Sequence, residues 1–167
     1  MTLVTLARLR VPLGFACAAA ALILADPSWR TWTAGAAVAL MGEGVRLWAA
    51  GHIEKGREIT QSGPYHYVRH PLYLGSTLIG IGFAGASRSL VVLALATLYL
   101  GVTLAAAVRT EEAALNQKFD GAYDQYRAGR RDSPRRAFSW TRVRHNREYR
   151  AVLGLLAAFL YLAFRVS

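Results

Sequence analysis

The hydrophobic residues of this 167-residue chain are gathered into long blocks that short polar stretches separate. Such blocks are typical of helices that cross a lipid bilayer, where about 20 consecutive apolar residues span the hydrocarbon core. A chain of this length is also expected to form one domain, residues 1–167. The pattern predicts an all-α, polytopic membrane bundle of about five transmembrane helices. The blocks are Leu3–Ala25, Trp32–Gly51, Leu72–Ala86, Leu90–Val108 and Ala151–Phe164.

The connections between the blocks predict how the helices are joined. Pro27 prevents one continuous helix across Asp26–Ser28, so a turn is expected there. Only Gly85–Ser89 separates the third block from the fourth, which predicts a tight antiparallel hairpin. The fifth block has 14 residues, and as a helix it rises only ~21 Å, less than the ~30 Å hydrocarbon core. It is interpreted as a short span, with an interfacial or re-entrant helix as the alternative.

The distribution of basic residues predicts the orientation in the membrane. A net charge of +10 would suit nucleic-acid binding, but the basic residues flank the apolar blocks, so we expect no nucleic-acid partner. With the N-terminus inside, sixteen of the twenty Lys and Arg residues fall on the cytoplasmic side. The basic rim would also attract anionic lipid headgroups. We expect an uncleaved first helix, because the other apolar blocks would still need a membrane, and the excess of arginine over lysine (18 against 2) suggests a bacterial cytoplasmic membrane.

A further helix is predicted over Thr110–Gly129, emerging from the fourth block. Thr110 is expected to cap it, and Glu111 and Glu112 lie in its first turn, where acidic side chains suit the helix dipole. Gly129 is the expected stop. One face of this helix carries four apolar or aromatic residues: Leu115, Phe119, Tyr123 and Tyr126.

Candidate chemistry begins in the polar loop that precedes the third block. Gly63-Pro64 is turn-forming, and Pro71 suits the first turn of a helix. Arg69 and His70 are therefore expected beside unpaired backbone N–H groups, an arrangement that binds carboxylates or phosphates. The alternative is that Arg69 contacts lipid headgroups and that His70 only caps the helix.

Two pairs of charged residues are the other candidates. Glu111 and Glu112 are suited to hold a ligand's ammonium, and a nearby tyrosine ring to contact a sulfonium; the alternative is a solvated helix start. Glu43 and Arg46, three residues apart in the second block, form either an internal ion pair or the polar lining of a substrate cavity. The four histidines lack the spacing of metal ligands, so no metal site is expected.

The two motifs together resemble the isoprenylcysteine carboxyl methyltransferases and their relatives, the phospholipid N-methyltransferases. The first family motif, G-P-Y-x-x-x-R-H-P-x-Y-x-G, matches residues 63–75. The second, E-E-x-x-L-x-x-x-F-G-x-x-Y-x-x-Y, matches residues 111–126 except at Asp120, where the family has Gly. Arg130-Arg131 also stands where the family tends to have Val-Pro.

The resemblance implies an S-adenosylmethionine-dependent methyltransferase whose cofactor pocket lies at the cytoplasmic face of the membrane. It covers about residues 43–134, so the C-terminal helix at about 150–165 lies beyond it. By the resemblance, Glu111, Arg109 and Arg69 take part in catalysis. The implied cofactor-binding residues are Tyr65, Val68, Arg69, His70, Leu72, Tyr73, Glu111, Glu112, Tyr123 and Tyr126.

The implied reaction is direct displacement at the sulfonium methyl group, which needs alignment and desolvation more than acid–base help. The acceptor is expected to be lipophilic or small: a carboxylate or thiolate needs no base, whereas an amine or neutral thiol would use Glu111. One alternative is an NADPH-dependent reductase of the sterol reductase type, which shares a related Arg-His-Pro stretch but usually carries Asn where this chain has Leu72. The other is a non-enzymatic membrane protein on the same scaffold.

Overall fold

The computed structural model describes three stretches of the chain: residues 3–120, 122–129 and 136–166, with side chains from residue 14 onward. In these stretches the chain forms seven α-helices, one 3-10 turn at Gly63–His66 and no strand, which confirms the all-α prediction. The departure at Arg130-Arg131 lies outside the described residues. The helices are α1 Leu3–Leu24, α2 Trp29–Ala50, α3 Pro71–Ser87, α4 Leu90–Lys118, α5 Ala122–Arg127, α6 Trp140–His145 and α7 Tyr149–Phe164.

The connection between α1 and α2 is the turn predicted at Asp26–Ser28. Ser28 caps α2: its Oγ accepts the Thr31 N–H at 3.4 Å, and Thr31 Oγ1 accepts the Ser28 N–H at 3.0 Å. This reciprocal arrangement satisfies backbone N–H groups that helix geometry leaves unpaired. The Asp26 N–H also donates to the Ser87 carbonyl oxygen at 2.9 Å, which joins the turn to the end of α3.

The α2–α3 interface is the most extensive among the described helices and depends on glycines that face each other. A Cβ placed on Gly75 would lie 2.6 Å from the Gly42 carbonyl oxygen and 2.5 Å from Arg46 Cγ. A Cβ on Gly82 would lie 2.5 Å from the Gly35 carbonyl oxygen. Small residues allow two helix backbones to approach this closely. The approach brings Arg46 of α2 against the first turns of α3.

Gly75→Val is expected to lower the stability of the folded chain by about 1–3 kcal/mol, because the added side chain forces α2 and α3 apart. The measurement is the melting temperature in detergent micelles. Gly85→Val on the same helix is the matched control, since no atom lies within 4 Å of a Cβ built there. An equal loss of stability in both variants would show that Gly75 does not act through close helix packing.

The α3–α4 connection is the tight antiparallel hairpin that its length predicts. Arg88 takes a left-handed conformation with φ +53° directly after α3. Ser89 then caps α4 by accepting the Val92 N–H at 3.4 Å. The chain therefore reverses direction between Ser87 and Leu90.

The predicted helix does emerge from the fourth block, but the prediction that it begins at Thr110 is wrong, because α4 continues through this position without a break. Thr110 is not a cap: its hydroxyl donates to the Ala106 carbonyl oxygen at 2.7 Å, as in a helix interior. The surrounding sequence holds no Gly or Pro, so the change from apolar to polar composition does not end the helix. Glu111 and Glu112 consequently lie inside α4, where no N-terminal helix dipole acts on them.

The chain turns sharply between α4 and α5. Asp120 has φ +47°, a left-handed conformation that favours glycine and that Asp tolerates. This conformation explains both the Gly of the related motif and its replacement by Asp120. Beyond the turn, Tyr123 and Tyr126 of α5 are buried. The helix ends two residues before Gly129, the predicted stop.

The arginine-rich segment before the last apolar block contains a short helix, α6, that the sequence pattern did not predict. Arg142 of α6 donates from Nε to the Gly51 carbonyl oxygen at 2.7 Å, which ties this segment to the end of α2. The following helix, α7, packs on α2, and Trp32 Nε1 donates to the Phe159 carbonyl oxygen at 2.9 Å. Leu162 of α7 is fully buried. The C-terminal segment is thus an integral part of the bundle.

Apolar side chains cover much of the outer surface of α4 and α7. Leu90, Leu98, Leu153 and Phe164 are each more than half exposed. Among the described residues, α4 is the one helix long and apolar enough to cross a membrane, and the apolar segments Gly14–Leu24 and Tyr149–Phe164 are shorter. Exposed apolar side chains in such number are unfavourable in water and indicate contact with an apolar phase or partner.

Candidate functional site

A cavity of about 810 Å³ opens where the loop before α3 meets the polar half of α4. Volumes of about 300–1,000 Å³ are typical of sites for small molecules. Tyr65, Leu72 and Tyr73 of the first motif form part of the wall. Glu111 and Leu115 of the second motif form another part. Both motifs therefore line the same cavity.

Three contacts fix the loop that carries the first motif. Gly63 has φ +60°, and a Cβ there would lie 2.6 Å from the His52 ring, so only glycine fits. His52 Nδ1 in turn lies 2.9 Å from the Trp48 carbonyl oxygen. Tyr126 Oη donates to the Tyr65 carbonyl oxygen at 2.6 Å. These contacts hold the loop between α2 and α5.

Glu112 joins the two motifs, because three side chains converge on one of its oxygens. Oε1 lies 3.1 Å from His70 Nε2, 3.1 Å from Tyr123 Oη and 3.6 Å from Arg69 Nη1. Burial and the hydrogen bond to Glu112 raise the pKa of the Tyr123 phenol, which stays a donor at neutral pH. Glu112 thus places a carboxylate of the protein itself beside Arg69 and His70, and both of these residues also line the cavity. We interpret Glu112 as a clamp between α3, α4 and α5.

Glu111 differs from its neighbour because it faces the cavity. Tyr73 Oη donates to Glu111 Oε2 at 2.6 Å, which holds the carboxylate at the wall. The Tyr73 ring is stacked on the His70 ring, with centroids 5.6 Å apart. Since consecutive helical residues point about 100° apart, the helix directs Glu111 to the cavity and Glu112 to the clamp.

The Tyr65 hydroxyl is a buried hydrogen-bond donor in the wall of the cavity. The residue is 7% exposed, and its Oη has no hydrogen-bond partner among the described residues. Burial raises the pKa of this phenol, and the nearby Glu111 charge raises it further, so the hydroxyl keeps its proton. Leaving such a group unpaired costs about 1–3 kcal/mol. Because Tyr65 lines the cavity, we interpret its hydroxyl as a donor kept for a ligand.

Arg46 reaches the same cavity from α2. Its Nη1 donates to Ser76 Oγ at 2.5 Å, and its Nε lies 3.8 Å from Glu43 Oε2. Glu43 is buried beside Arg46 but is not among the residues that line the cavity. Glu43 and Arg46 were expected to form either an internal ion pair or the polar lining of a substrate cavity. The structure shows both features: the two residues form an internal ion pair, and Arg46 also lines the cavity.

Glu148 lines the cavity as well, and the sequence analysis did not identify it. It is buried, directly precedes α7 and forms an ion pair with Arg46 Nη2. The available signal was a lone acidic residue between an arginine-rich stretch and an apolar block. Such a residue is ordinarily interpreted as a helix end, and only the packing of α7 against α2 reveals its partner.

Other cavity residues also differ from the predicted set. Arg109 is exposed and is not among the lining residues, so the structure does not bring it to the cavity. Val68 borders a neighbouring cleft of about 320 Å³. The loop before the first motif contributes Lys55, Glu58 and Thr60, which the motif pattern did not indicate.

The sequence profile of the phospholipid methyltransferase family matches residues 15–122, well over half of the chain. The matched region contains the first motif, the α3–α4 hairpin and both glutamates of the second motif. The chain belongs to the phospholipid methyltransferase family. Membership confirms the resemblance stated from the two motifs. The matched region ends at the start of α5, so α6 and α7 of this family member lie outside it.

Two curated relatives share part of the sequence. The nickel-cobalt-cadmium resistance protein NccN of Alcaligenes xylosoxydans xylosoxydans is 30% identical over 115 residues, which is 64% of this chain and 54% of that protein. The cobalt-zinc-cadmium resistance protein CzcN of Cupriavidus metallidurans is 36% identical over 87 residues, which is 51% of this chain and 39% of that protein. The chain thus spans about half the length of these relatives or less. No solved structure matches it.

Proposed function

We propose that the chain transfers the methyl group of S-adenosylmethionine to a lipophilic or small acceptor that carries a carboxylate, an amine or a thiol. The observation that carries this proposal is a cavity lined by both the Glu111 carboxylate and the Tyr65 hydroxyl, which has no hydrogen-bond partner among the described residues. A carboxylate suits the ammonium group of the cofactor, and a phenol donates to its carboxylate or hydroxyl groups. The Glu111 carboxylate and the Tyr65 phenol therefore fit this cofactor, and family membership supports the same assignment.

The residues of the chain would act mainly by holding and orienting the reactants. When bound, S-adenosylmethionine supplies a methyl group on a positively charged sulfur. Glu111 and the Tyr73 ring offer a negative charge and an aromatic surface to that cation. Leu72 and Leu104 make part of the cavity apolar and limit the access of water. For an amine or a neutral thiol, Glu111 is the candidate base.

A second cavity, of about 420 Å³, supports a lipophilic acceptor. It lies between α1, α3, α4 and α7 and is lined mainly by apolar side chains such as Ala18, Phe83 and Leu155. Arg46 and Ser76 line both this apolar cavity and the cavity of the two motifs. A hydrocarbon chain in the apolar cavity would direct its polar end toward Arg46.

We also propose a polytopic arrangement in a bacterial cytoplasmic membrane, with the N-terminus and the main cavity on the cytoplasmic side. The apolar outer surface of α4 and α7 and the one-sided distribution of basic residues support this arrangement. Single cysteines are introduced into a cysteine-free Cys17→Ser chain and expressed in spheroplasts. A membrane-impermeant maleimide is expected to label the Arg88→Cys variant and not the Lys55→Cys variant. Labelling of the Lys55→Cys variant alone would show that the orientation is the reverse of the one proposed.

Binding to purified chain in detergent tests the cofactor, and label transfer tests the reaction. Isothermal titration calorimetry is expected to show binding of S-adenosylhomocysteine and none of NADPH. Methyl-tritiated S-adenosylmethionine, incubated with a panel of carboxylates, amines, thiols and lipids, then identifies the acceptor. Binding of NADPH without S-adenosylhomocysteine would favour the reductase, and binding of neither would favour a non-enzymatic scaffold.

Tyr65→Phe is expected to raise the melting temperature of the ligand-free chain and to weaken S-adenosylhomocysteine binding by about 3- to 10-fold. The substitution removes an unpaired buried hydroxyl that costs about 1–3 kcal/mol, and it also removes a donor for the ligand. Tyr67→Phe is the matched control, because Tyr67 is 75% exposed. A fall in both stability and affinity would mean that the Tyr65 hydroxyl has a structural role.

A further inference from the structure

Arg46 lies at the junction of two cavities. The polar cavity of about 810 Å³ and the apolar cavity of about 420 Å³ share two polar residues, Arg46 and Ser76. Of the residues that line the apolar cavity, Arg46 is the charged one. A molecule that extends from one cavity into the other therefore passes the Arg46 guanidinium group.

The Arg46 guanidinium is held by partners on three helical segments. Nη1 donates to Ser76 Oγ of α3 at 2.5 Å. Nε lies 3.8 Å from Glu43 Oε2 of α2, and Nη2 forms an ion pair with Glu148 Oε1 at the start of α7. Glu43 and Glu148 are only 5% and 6% exposed. The planar guanidinium therefore has a defined position and orientation, which a solvated arginine would lack.

Stability alone does not explain this buried ion pair. Removing two charges from water is costly, and a buried ion pair is often matched or exceeded in stability by apolar residues of similar volume. Trp32, Phe159 and Leu162 already attach α7 to the bundle by apolar contacts and one hydrogen bond. What Glu148 adds is a fixed geometry for Arg46.

We propose that Glu148 is a positioning residue that fixes Arg46 where the polar end of the acceptor meets the methyl donor. The inference rests on the proposed methyl transfer and extends it, because Glu148 lies outside the matched residues 15–122. The C-terminal segment then belongs to the acceptor side of the site. Arg46 orients the acceptor, and Glu148 acts through its ion pair with Arg46.

The test separates acceptor positioning from cofactor binding. Initial rates are measured for wild type, Glu148→Gln and Glu148→Asp with methyl-tritiated S-adenosylmethionine and a total phospholipid extract in mixed micelles. Glu148→Gln is expected to lower kcat/KM for the lipid by at least 10-fold and to leave the S-adenosylhomocysteine Kd within twofold of wild type. Glu148→Asp, which keeps the charge, is expected to recover part of the rate.

Arg165→Gln is the matched control for a loosened C-terminal helix. Arg165 Nη2 donates to the Ala25 carbonyl oxygen at 3.0 Å and so anchors the opposite end of α7, and Arg165 itself lines neither cavity. An equal fall in kcat/KM for Arg165→Gln and Glu148→Gln would overturn the positioning role. So would an unchanged kcat/KM in Glu148→Gln, or a comparable loss of S-adenosylhomocysteine binding.

A spectroscopic readout tests the positioning without turnover. In spectra of chain labelled with 15N-arginine, the Arg46 Nη signals, identified by their loss in Arg46→Lys, are expected to be separate in wild type and to coalesce in Glu148→Gln. Unchanged signals would overturn the inference even if the lipid extract contains no acceptor. A wild-type chain that binds no S-adenosylhomocysteine would overturn the proposed function instead.

Discussion

Glu111→Gln is expected to weaken S-adenosylhomocysteine binding by about 10- to 100-fold and to leave the fold intact. The variant keeps the shape of the side chain and an acceptor for Tyr73 Oη, since an amide oxygen also accepts hydrogen bonds. It removes the negative charge from the cavity wall, and a hydrogen bond to a charged group contributes about 1.5–3 kcal/mol. Titration calorimetry of both proteins in one detergent measures the difference.

Asp124→Asn is the matched control for Glu111→Gln. The Asp124 side chain is exposed, accepts from Asn116 Nδ2 at 3.2 Å and does not line the cavity. The Asp124→Asn substitution therefore removes one negative charge near the site and leaves the wall of the cavity unchanged. An equal loss of affinity in both variants would show that only the regional charge matters, and an unchanged affinity in Glu111→Gln would exclude Glu111 from the cofactor site.

Glu112→Ala is expected to lower the melting temperature by about 4–8 °C, because it removes the clamp between the two motifs. The Tyr123 hydroxyl loses its acceptor, Arg69 loses its counter-ion, and His70 loses a hydrogen-bond partner. We expect a cost of about 2 kcal/mol, which corresponds to a shift of this size in a chain of this length. Thermal unfolding in detergent, followed by circular dichroism, measures the change.

The same variant is also expected to acquire an anion site. Arg69 and His70 lie at the N-terminus of α3, where the Arg69 guanidinium and the positive end of the helix dipole attract anions. Inorganic phosphate should therefore raise the melting temperature of Glu112→Ala and not that of wild type. Glu112→Gln, which still accepts from Tyr123, is the control and should lose less stability. If Glu112→Ala melts like wild type, the clamp interpretation is wrong.

The helices inside the apolar blocks were predictable because their signal is local along the chain. The third block was predicted at Leu72–Ala86, and α3 spans Pro71–Ser87. The helix predicted from Thr110 failed for a physical reason: a change from apolar to polar composition marks a change of environment, and it ends a helix only when a residue such as Asp120 also changes the backbone. The short α6 was missed because its contacts with α2 come from distant residues.

The motifs identified the residue types of the site, because the family pattern carries Tyr65, Tyr73 and Glu111 at fixed spacing. The position of each residue relative to the cavity was harder to predict from the sequence. Arg109 stands two residues from Glu111 in the sequence, yet it is exposed, because a helix turns about 200° over two residues. Glu148 carries no motif, and its role follows only from its contact with Arg46.

The sequence by itself determined the all-α class, the hairpin between α3 and α4 and the family, because apolar blocks and motif spacing are properties of neighbouring residues. Only the tertiary structure decided that Glu111 faces the cavity while Glu112 clamps Arg69 and His70, and that the last helix brings Glu148 to Arg46. These features depend on how helices rotate and pack, which contacts between residues far apart in the chain determine.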